Sequence, residues 1–245
     1  MGMWRMRRSR LIRVLCGLAI ALCAETASAD SSALAPVPRD PRYPSQWWTP
    51  VPKEGAPAWE ILPQEAGPGE VILSKRNELG LLSNFAPTPF RFHGQRYASL
   101  EGFWQMMKYP ENAADARARF PGLGWKYTRE QVSQLTGFDA KHAGDLASEN
   151  MNRMGITWVT FEGQRMEYKP RTPGDHYRLI VEATREKVRQ NPEVQKVLLA
   201  TGNLVLKPDH RQDPDAPAAW RYCEILMAIR AELQKAGPGT VARPD

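Results

Sequence analysis

Between residues 70 and 236 the spacing of apolar positions changes several times, and each change predicts a new element. EVILSK, Glu70 to Lys75, reads as a short strand. In FRFHGQRYAS, Phe90 and Phe92 alternate with polar residues, His93-Gly94 supplies a turn and Tyr97 follows, the pattern of a small hairpin. The period then lengthens. Ser99 can cap a helix running to about Lys108. Thr128-Arg129-Glu130-Gln131 is a capping-box sequence ahead of Val132 and Leu135. Asp139 to Met154 reads as a helix stopped by Gly155, and ITWVTF, Ile156 to Phe161, as a β-rich run ending in the turn signal Glu162-Gly163. Tyr177, Ile180, Val181, Thr184 and Val188 recur at helical spacing. Pro192 opens a further helix through Val194, Val197 and Leu198 that ends near Gly202. A last helix from about Ala218 carries Trp220, Cys223, Leu226, Met227, Ile229, Arg230 and Leu233. The sum predicts one α+β domain, 70–236, mainly helical with a small β component. The absence of a βαβ alternation with a glycine-rich first turn argues against a Rossmann domain.

The flanks have a different composition. Residues 30–69 are proline-rich, which forbids a long helix and predicts an extended arm. Trp47, Trp48 and Trp59 predict that parts of this arm lie on the domain. Residues 237–245 read as a frayed tail. Residues 1–29 read as a signal peptide. Arg5, Arg7, Arg8, Arg10 and Arg13 form a basic start, Val14 to Ala24 an apolar stretch too short to span a bilayer, and Ala27-Ser28-Ala29 a cleavage site. The mature chain is then expected in the periplasm or secreted, with no membrane attachment after cleavage.

Cleavage changes the charge. The formal net charge is +6, from 33 Lys and Arg against 27 Asp and Glu. Removing five arginines and Glu25 leaves 28 against 26, or +2, so most of the basic character belongs to the signal. A nucleic-acid surface is correspondingly less supported. Of the 3 cysteines only Cys223 survives, which precludes an internal disulfide; it reads as a small buried apolar residue and not a nucleophile. His93, His142, His176 and His210 are scattered without ligand spacing, so no metal site is expected.

The candidate chemistry lies in LLSNFAPTPFRFHGQRYASLEGFWQMMKYP, residues 81 to 110. On a helix from Ser99 to Lys108, the seven-residue spacing brings Glu101 and Lys108 to one face, about 10 Å apart at about 1.5 Å per residue. Gln105 lies between them, while Phe103, Met106 and Met107 point elsewhere. Periodicity alone favours a solvated stripe. The strongly aromatic flanks, and Ser83 and Asn84 embedded among apolar residues, favour the wall of a pocket.

These residues resemble the opening signature of the NADAR, or YbiA-like, family: an S-N-F triplet, a hairpin with a glycine, then a helix carrying E, an aromatic, Q and K in order. Later blocks fall in the same order: AKHAG (Ala140 to Gly144), Thr157-Trp158, REKVRQNPEVQKVLLATGNLVL (Arg185 to Leu206) and ILMAIRAEL (Ile225 to Leu233). The resemblance spans nearly all of residues 70–236 and implies a YbiA-like single domain. It implies an N-glycosidase that hydrolyses the bond between a ribosyl carbon and a base or amine nitrogen. Its substrates would be small ribosyl or nucleotide-like molecules, such as riboflavin-pathway intermediates, or ADP-ribosylated guanine in nucleic acid. No cofactor is implied. Carried over by position, Glu101, Lys108 and Asp209 are the catalytic candidates, with Asp213 and Asp215 as rivals to Asp209. Ser83, Asn84, Phe85, Gln105, Trp158 and His210 are the substrate-binding candidates, with Trp158 offering a flat face for a base. The chain departs from the family near its end, where AAWRYCEILMAIR lacks the glycines and asparagine of many members and Trp220 stands in.

Other readings attach to the same residues. The pocket can belong to a non-catalytic nucleotide- or ADP-ribose-binding module. The Pro/Trp arm can be the working part of an envelope structural protein. Lys75, Arg76 and Arg91 read as surface basic residues able to meet phosphate, and Arg230 as half of a buried ion pair.

Overall fold

The computed structural model describes residues 40–236. The signal peptide and the tail expected from the sequence lie outside the described residues. The helices are α1 (Leu100–Met106), α2 (Arg129–Ser133), α3 (Gly137–Met154), α4 (Asp175–Gln190), α5 (Pro192–Ala200) and α6 (Tyr222–Ala236). The strands are β1 (Glu70–Ile72), β2 (Phe90–Phe92), β3 (Gln95–Tyr97), β4 (Trp158–Phe161), β5 (Gln164–Glu167) and β6 (Val205–Lys207). The architecture is α+β. Among the described residues the strands form three separate two-stranded pairs: β2–β3 and β4–β5 antiparallel, β1–β6 parallel. No described helix is long and apolar enough to cross a membrane.

Local chemistry sets most boundaries. Ser99 Oγ accepts from the Gly102 amide at 2.9 Å and starts α1. The Thr128–Gln131 capping box starts α2, and Gly155, at φ +66°, ends α3 in the left-handed region open to glycine. His93-Gly94 and Glu162-Gly163 both adopt positive φ and close the two hairpins. Three expectations shift. β5 follows β4 although no strand was predicted there. α3 starts two residues early, at Gly137. The last helix starts at Tyr222, because Ala218–Trp220 turns as a 3₁₀ segment after Pro217.

Helix α1 sits at the centre. Every residue from Leu100 to Tyr109 is buried, and α2, α3, α4 and β3 pack around it. On its apolar side Phe103 meets Phe90, Phe92, Tyr97 and Phe161 at 4.8–6.1 Å between ring centroids, mostly edge-to-face. The arm joins this core. Trp47 and Trp48 are buried in a 3₁₀ turn. Trp47 Nε1 donates to Glu78 Oε1 at 2.7 Å and Trp48 Nε1 to the Glu70 carbonyl at 2.9 Å, so each indole is both packed and satisfied.

Candidate functional site

The polar stripe of α1 is not solvated. It faces the small residues Ala140, Ala143, Gly144 and Ala147 of α3, all buried. Two glycines make the close approach possible. A Cβ on Gly102 would stand 2.5 Å from the Leu135 carbonyl oxygen, so only glycine lets α1 seat on the end of α2. A Cβ on Gly144 would stand 1.9 Å from Gln105 Oε1, so the Gln105 carboxamide occupies the space a side chain would take.

Within that slot Gln105 Nε2 donates to Glu101 Oε1 at 2.7 Å. Lys108 Nζ donates to the Gly144 carbonyl at 3.1 Å and to Ser148 Oγ at 2.8 Å. It also lies 4.9 Å from the centroid of the Tyr168 ring. Glu101 and Lys108 are 6% and 4% exposed, yet they form no direct ion pair. Burial pushes the Glu101 carboxyl above its ordinary range, against the Gln105 hydrogen bond and the Lys108 charge. Burial pulls the Lys108 ammonium down to about 8, against the charges of Glu101 and Asp145. Both groups are therefore driven toward their neutral forms.

An aromatic and imidazole layer closes the cluster. Trp104 Nε1 donates to Tyr168 Oη at 3.1 Å. His176 is fully buried 5.1 Å from the Trp104 ring and 5.3 Å from the Tyr168 ring. Burial, then the Lys108 charge, pull its imidazole down to about 4. Both His176 ring nitrogens and Gln105 Oε1 lack a protein partner, an uncommon condition for buried polar atoms.

The turn Ser83-Asn84-Phe85 passes the start of α1. Ser83 Oγ accepts from the Phe85 amide at 3.2 Å and shapes the turn. The Asn84 carbonyl accepts from the Glu101 amide at 2.9 Å, and the Phe85 carbonyl from the Gly137 amide at 3.0 Å. From α4, the buried Lys187 donates to the Ser83 carbonyl at 2.7 Å. Desolvation lowers this ammonium to about 7.

Asp209 forms a second cluster, reached from Phe85 through Lys75. It is 1% exposed, while its rivals Asp213 and Asp215 are exposed. Its carboxylate accepts from Lys75 Nζ and, at 3.1 Å, from His210 Nδ1. Burial alone would raise the Asp209 carboxyl, but the hydrogen bonds from His210 and Lys75 outweigh it and hold the group below its ordinary value. His210 stacks on Tyr222, with ring centroids 6.2 Å apart. Lys75 is thus no free surface cation, and neither is Arg76, which grips Glu60 through two bonds of 2.7 and 2.6 Å.

Trp158 does not join either cluster. Strand alternation sends Val159 and Phe161 inward and turns Trp158 and Thr160 to the opposite face of β4. There the guanidinium carbons of Arg117 and Arg165 lie 4.9 and 4.3 Å from the Trp158 ring centroid. The indole lines a surface concavity of about 330 Å³ with Glu111, Asp115, Thr160 and Arg165. A second concavity, of about 590 Å³, lies beside Arg165, Pro170 and Asp175. Neither includes Glu101, Lys108 or Asp209. Arg230 also differs from expectation: Nη1 donates to Thr201 Oγ1 at 2.7 Å, a hydroxyl partner in place of a carboxylate.

Several contributors escaped sequence reasoning. Tyr168, His176 and Ser148 reach the cluster from other elements. Arg117 and Arg129 take the carbonyls of Met107, Lys108 and Tyr109 at 2.8–3.2 Å, capping the exit of α1. The one signal available was the Ala140, Ala143, Gly144, Ala147 spacing, a small-residue face at helical period.

No family model and no curated protein matches this chain. Among solved structures, the NMR structure of the E. coli protein YbiA is similar over 70% of this chain and 91% of that one, with 18% identity and a TM-score of 0.44. It is a distant likeness.

Proposed function

We propose that this protein is a hydrolase of the NADAR type that cleaves the N-glycosidic bond of a ribosylated or ADP-ribosylated base or amine. The observation that carries the reading is the burial of Glu101 and Lys108 on one side of α1 without a direct ion pair between them. It is supported by the ordered resemblance of the surrounding sequence blocks. N-glycoside cleavage builds positive charge on the ribosyl carbon and expels a nitrogen that needs a proton. A carboxyl raised by burial is a proton donor for that nitrogen. Asp209, held as a carboxylate, is suited to the complementary role of offsetting the developing charge.

Lys108 has two roles open to it. With its ammonium at about 8, roughly a tenth is free amine at pH 7. That amine can bond to the ribosyl carbon as the bond to the base breaks, with the Glu101 proton leaving on the base. Opening of the sugar ring then gives an imine, which water hydrolyses to release the sugar and restore the amine. In the other role the ammonium stays charged and positions the sugar. The scheme needs no metal or cofactor, and the substrate is small and nucleotide-like or is ADP-ribosylated nucleic acid.

The test is mass spectrometry of products after incubation with a panel of N-ribosyl compounds. Glu101→Gln is expected to lower turnover roughly 10²- to 10⁴-fold with ligand binding kept. Lys108→Arg retains charge but cannot form an imine, so full activity in that variant removes the covalent route. If the wild-type chain cleaves no compound in the panel, the hydrolase reading fails and a binding module takes its place.

A further inference from the structure

Exposed apolar residues gathered into a contiguous patch, unlike scattered single ones, mark interaction or ligand sites. Phe138, at the start of α3, is 62% exposed, and Trp59, on the proline-rich arm, is 45% exposed. They come from segments far apart in sequence yet meet, with ring centroids 6.2 Å apart and planes inclined at 60°. Phe138 also meets Phe85 edge-on at 5.2 Å. The ammonium of Lys75 lies 5.3 Å from the Phe85 centroid and 5.8 Å from that of Trp59. The same ammonium is bonded to the buried carboxylate of Asp209.

Trp59 is fixed, not draped. Its neighbour Glu60 bridges to His210 as a short antiparallel contact, and the Ile61 amide donates to the Asp209 carbonyl at 2.8 Å. Glu60 is further clamped by Arg76. The backbone just after the indole is therefore tied to the Asp209-His210 segment that follows β6. Phe85 in turn is one residue from Asn84, whose carbonyl receives the Glu101 amide. The aromatic patch thus stands next to the Asp209 cluster through Lys75, and its Phe85 follows the residue that holds the start of α1.

We infer that Trp59 and Phe138, with Phe85 at their edge and Lys75 close to Trp59 and Phe85, form the platform on which the flat conjugated ring of the substrate stacks. The inference rests on the glycosidase reading for the identity of that ring: it is the heterocyclic leaving group, and the preferred substrates are N-ribosyl heterocycles over N-ribosyl alkylamines. The arm then supplies specificity to a site whose reacting groups come from the domain. Flat rings suit such a surface because every heterocycle presents a π-face. Trp158, under two guanidinium groups on the other face of β4, is relieved of this role.

Binding can be measured without turnover. Guanosine 5′-monophosphate is titrated into the full chain by calorimetry, with ribose 5-phosphate as the probe that lacks a ring. The wild-type chain is expected to prefer the nucleotide. Trp59→Ala and Phe138→Ala should each weaken nucleotide binding about tenfold and leave ribose 5-phosphate unchanged, while Trp59→Phe should keep most of the wild-type affinity. Thermal unfolding of Trp59→Ala near the wild-type temperature excludes a folding defect. Nucleotide affinity unchanged in both alanine variants, or no preference for the ring in the wild type, overturns the platform. The two readings fail separately. If the wild type cleaves ribosylated heterocycles and Trp59→Ala keeps the same KM, the platform falls and the hydrolase stands. If Trp59 governs nucleotide binding but nothing is cleaved, the platform stands and the hydrolase falls.

Discussion

His176 shows what burial does to a single residue. It is fully enclosed, both ring nitrogens lack protein partners, and its imidazole is pulled from 6.5 down to about 4. The folded state thus favours the neutral ring. Its stabilising contribution is complete above about pH 6.5 and is lost as the pH falls toward about 4, where the difference reaches about 3 kcal/mol. Replacing the ring by an uncharged one should remove that share of acid sensitivity. Urea unfolding of His176→Phe at pH 7 and pH 4.5 is expected to show a smaller loss on acidification than the wild type. An identical loss in both would assign the acid sensitivity to other groups. Arg230 carries a related lesson. A buried arginine invites the assumption of a carboxylate partner, but the Arg230 guanidinium instead donates to the Thr201 hydroxyl.

At the scale of elements, α1 is too short to be stable by itself; it is held at both ends and along both sides. Ser99 caps the start, Arg117 and Arg129 take the carbonyls at the exit, and two glycines admit its neighbours. The glycines have opposite sensitivities. At Gly102 a methyl would strike backbone carbonyls that cannot move without shifting α2. Gly102→Ala is therefore expected to destabilise by about 1–3 kcal/mol despite the better helix propensity of alanine. At Gly144 the obstacle is the Gln105 side chain from its Cγ outward, which gives way only by changing rotamer and not by moving backbone. Gly144→Ala should unfold within a few degrees of wild type, yet lose the Gln105 bond to Glu101 and with it about tenfold or more in turnover. Thermal melts paired with activity of the two variants check both halves. A melting temperature for Gly102→Ala at or above wild type would contradict the packing argument.

At the scale of the whole molecule, the arm divides into two parts. Trp47 is 1% exposed in the core and bonded to Glu78, whereas Trp59 stands at the surface. Trp47→Ala is expected to cost about 3–5 kcal/mol, as for other buried aromatic truncations, while Trp59→Ala should cost little. Chemical denaturation of the two variants measures the difference directly; equal stabilities would show that the indole of Trp47 is dispensable to the fold. A chain lacking residues 30–69 loses Trp47 and Trp48 together, so loss of function on deleting the arm would not by itself assign the function to the arm.

Much of this organisation is written locally. Caps at Ser99 and Thr128, the stop at Gly155, the helix start at Pro192 and the turns at His93-Gly94 and Glu162-Gly163 depend on a few neighbouring residues, and all were legible from the sequence. So was the alignment of Glu101, Gln105 and Lys108, which follows from the helical repeat. The sequence did not decide whether that stripe meets water. The answer lies in the small face of α3, some forty residues later, which comes close enough to bury an acid, an amide and an amine together. Nor could it pair β1 with β6, bring Lys75 to Asp209, turn Trp158 away from both clusters or set Trp59 against Phe138. Those depend on contacts between segments distant in the chain. Residue types and local periods determined which groups the protein carries and in what order; only tertiary packing decided which of them are desolvated, and desolvation is what turns an ordinary glutamate and lysine into candidates for chemistry.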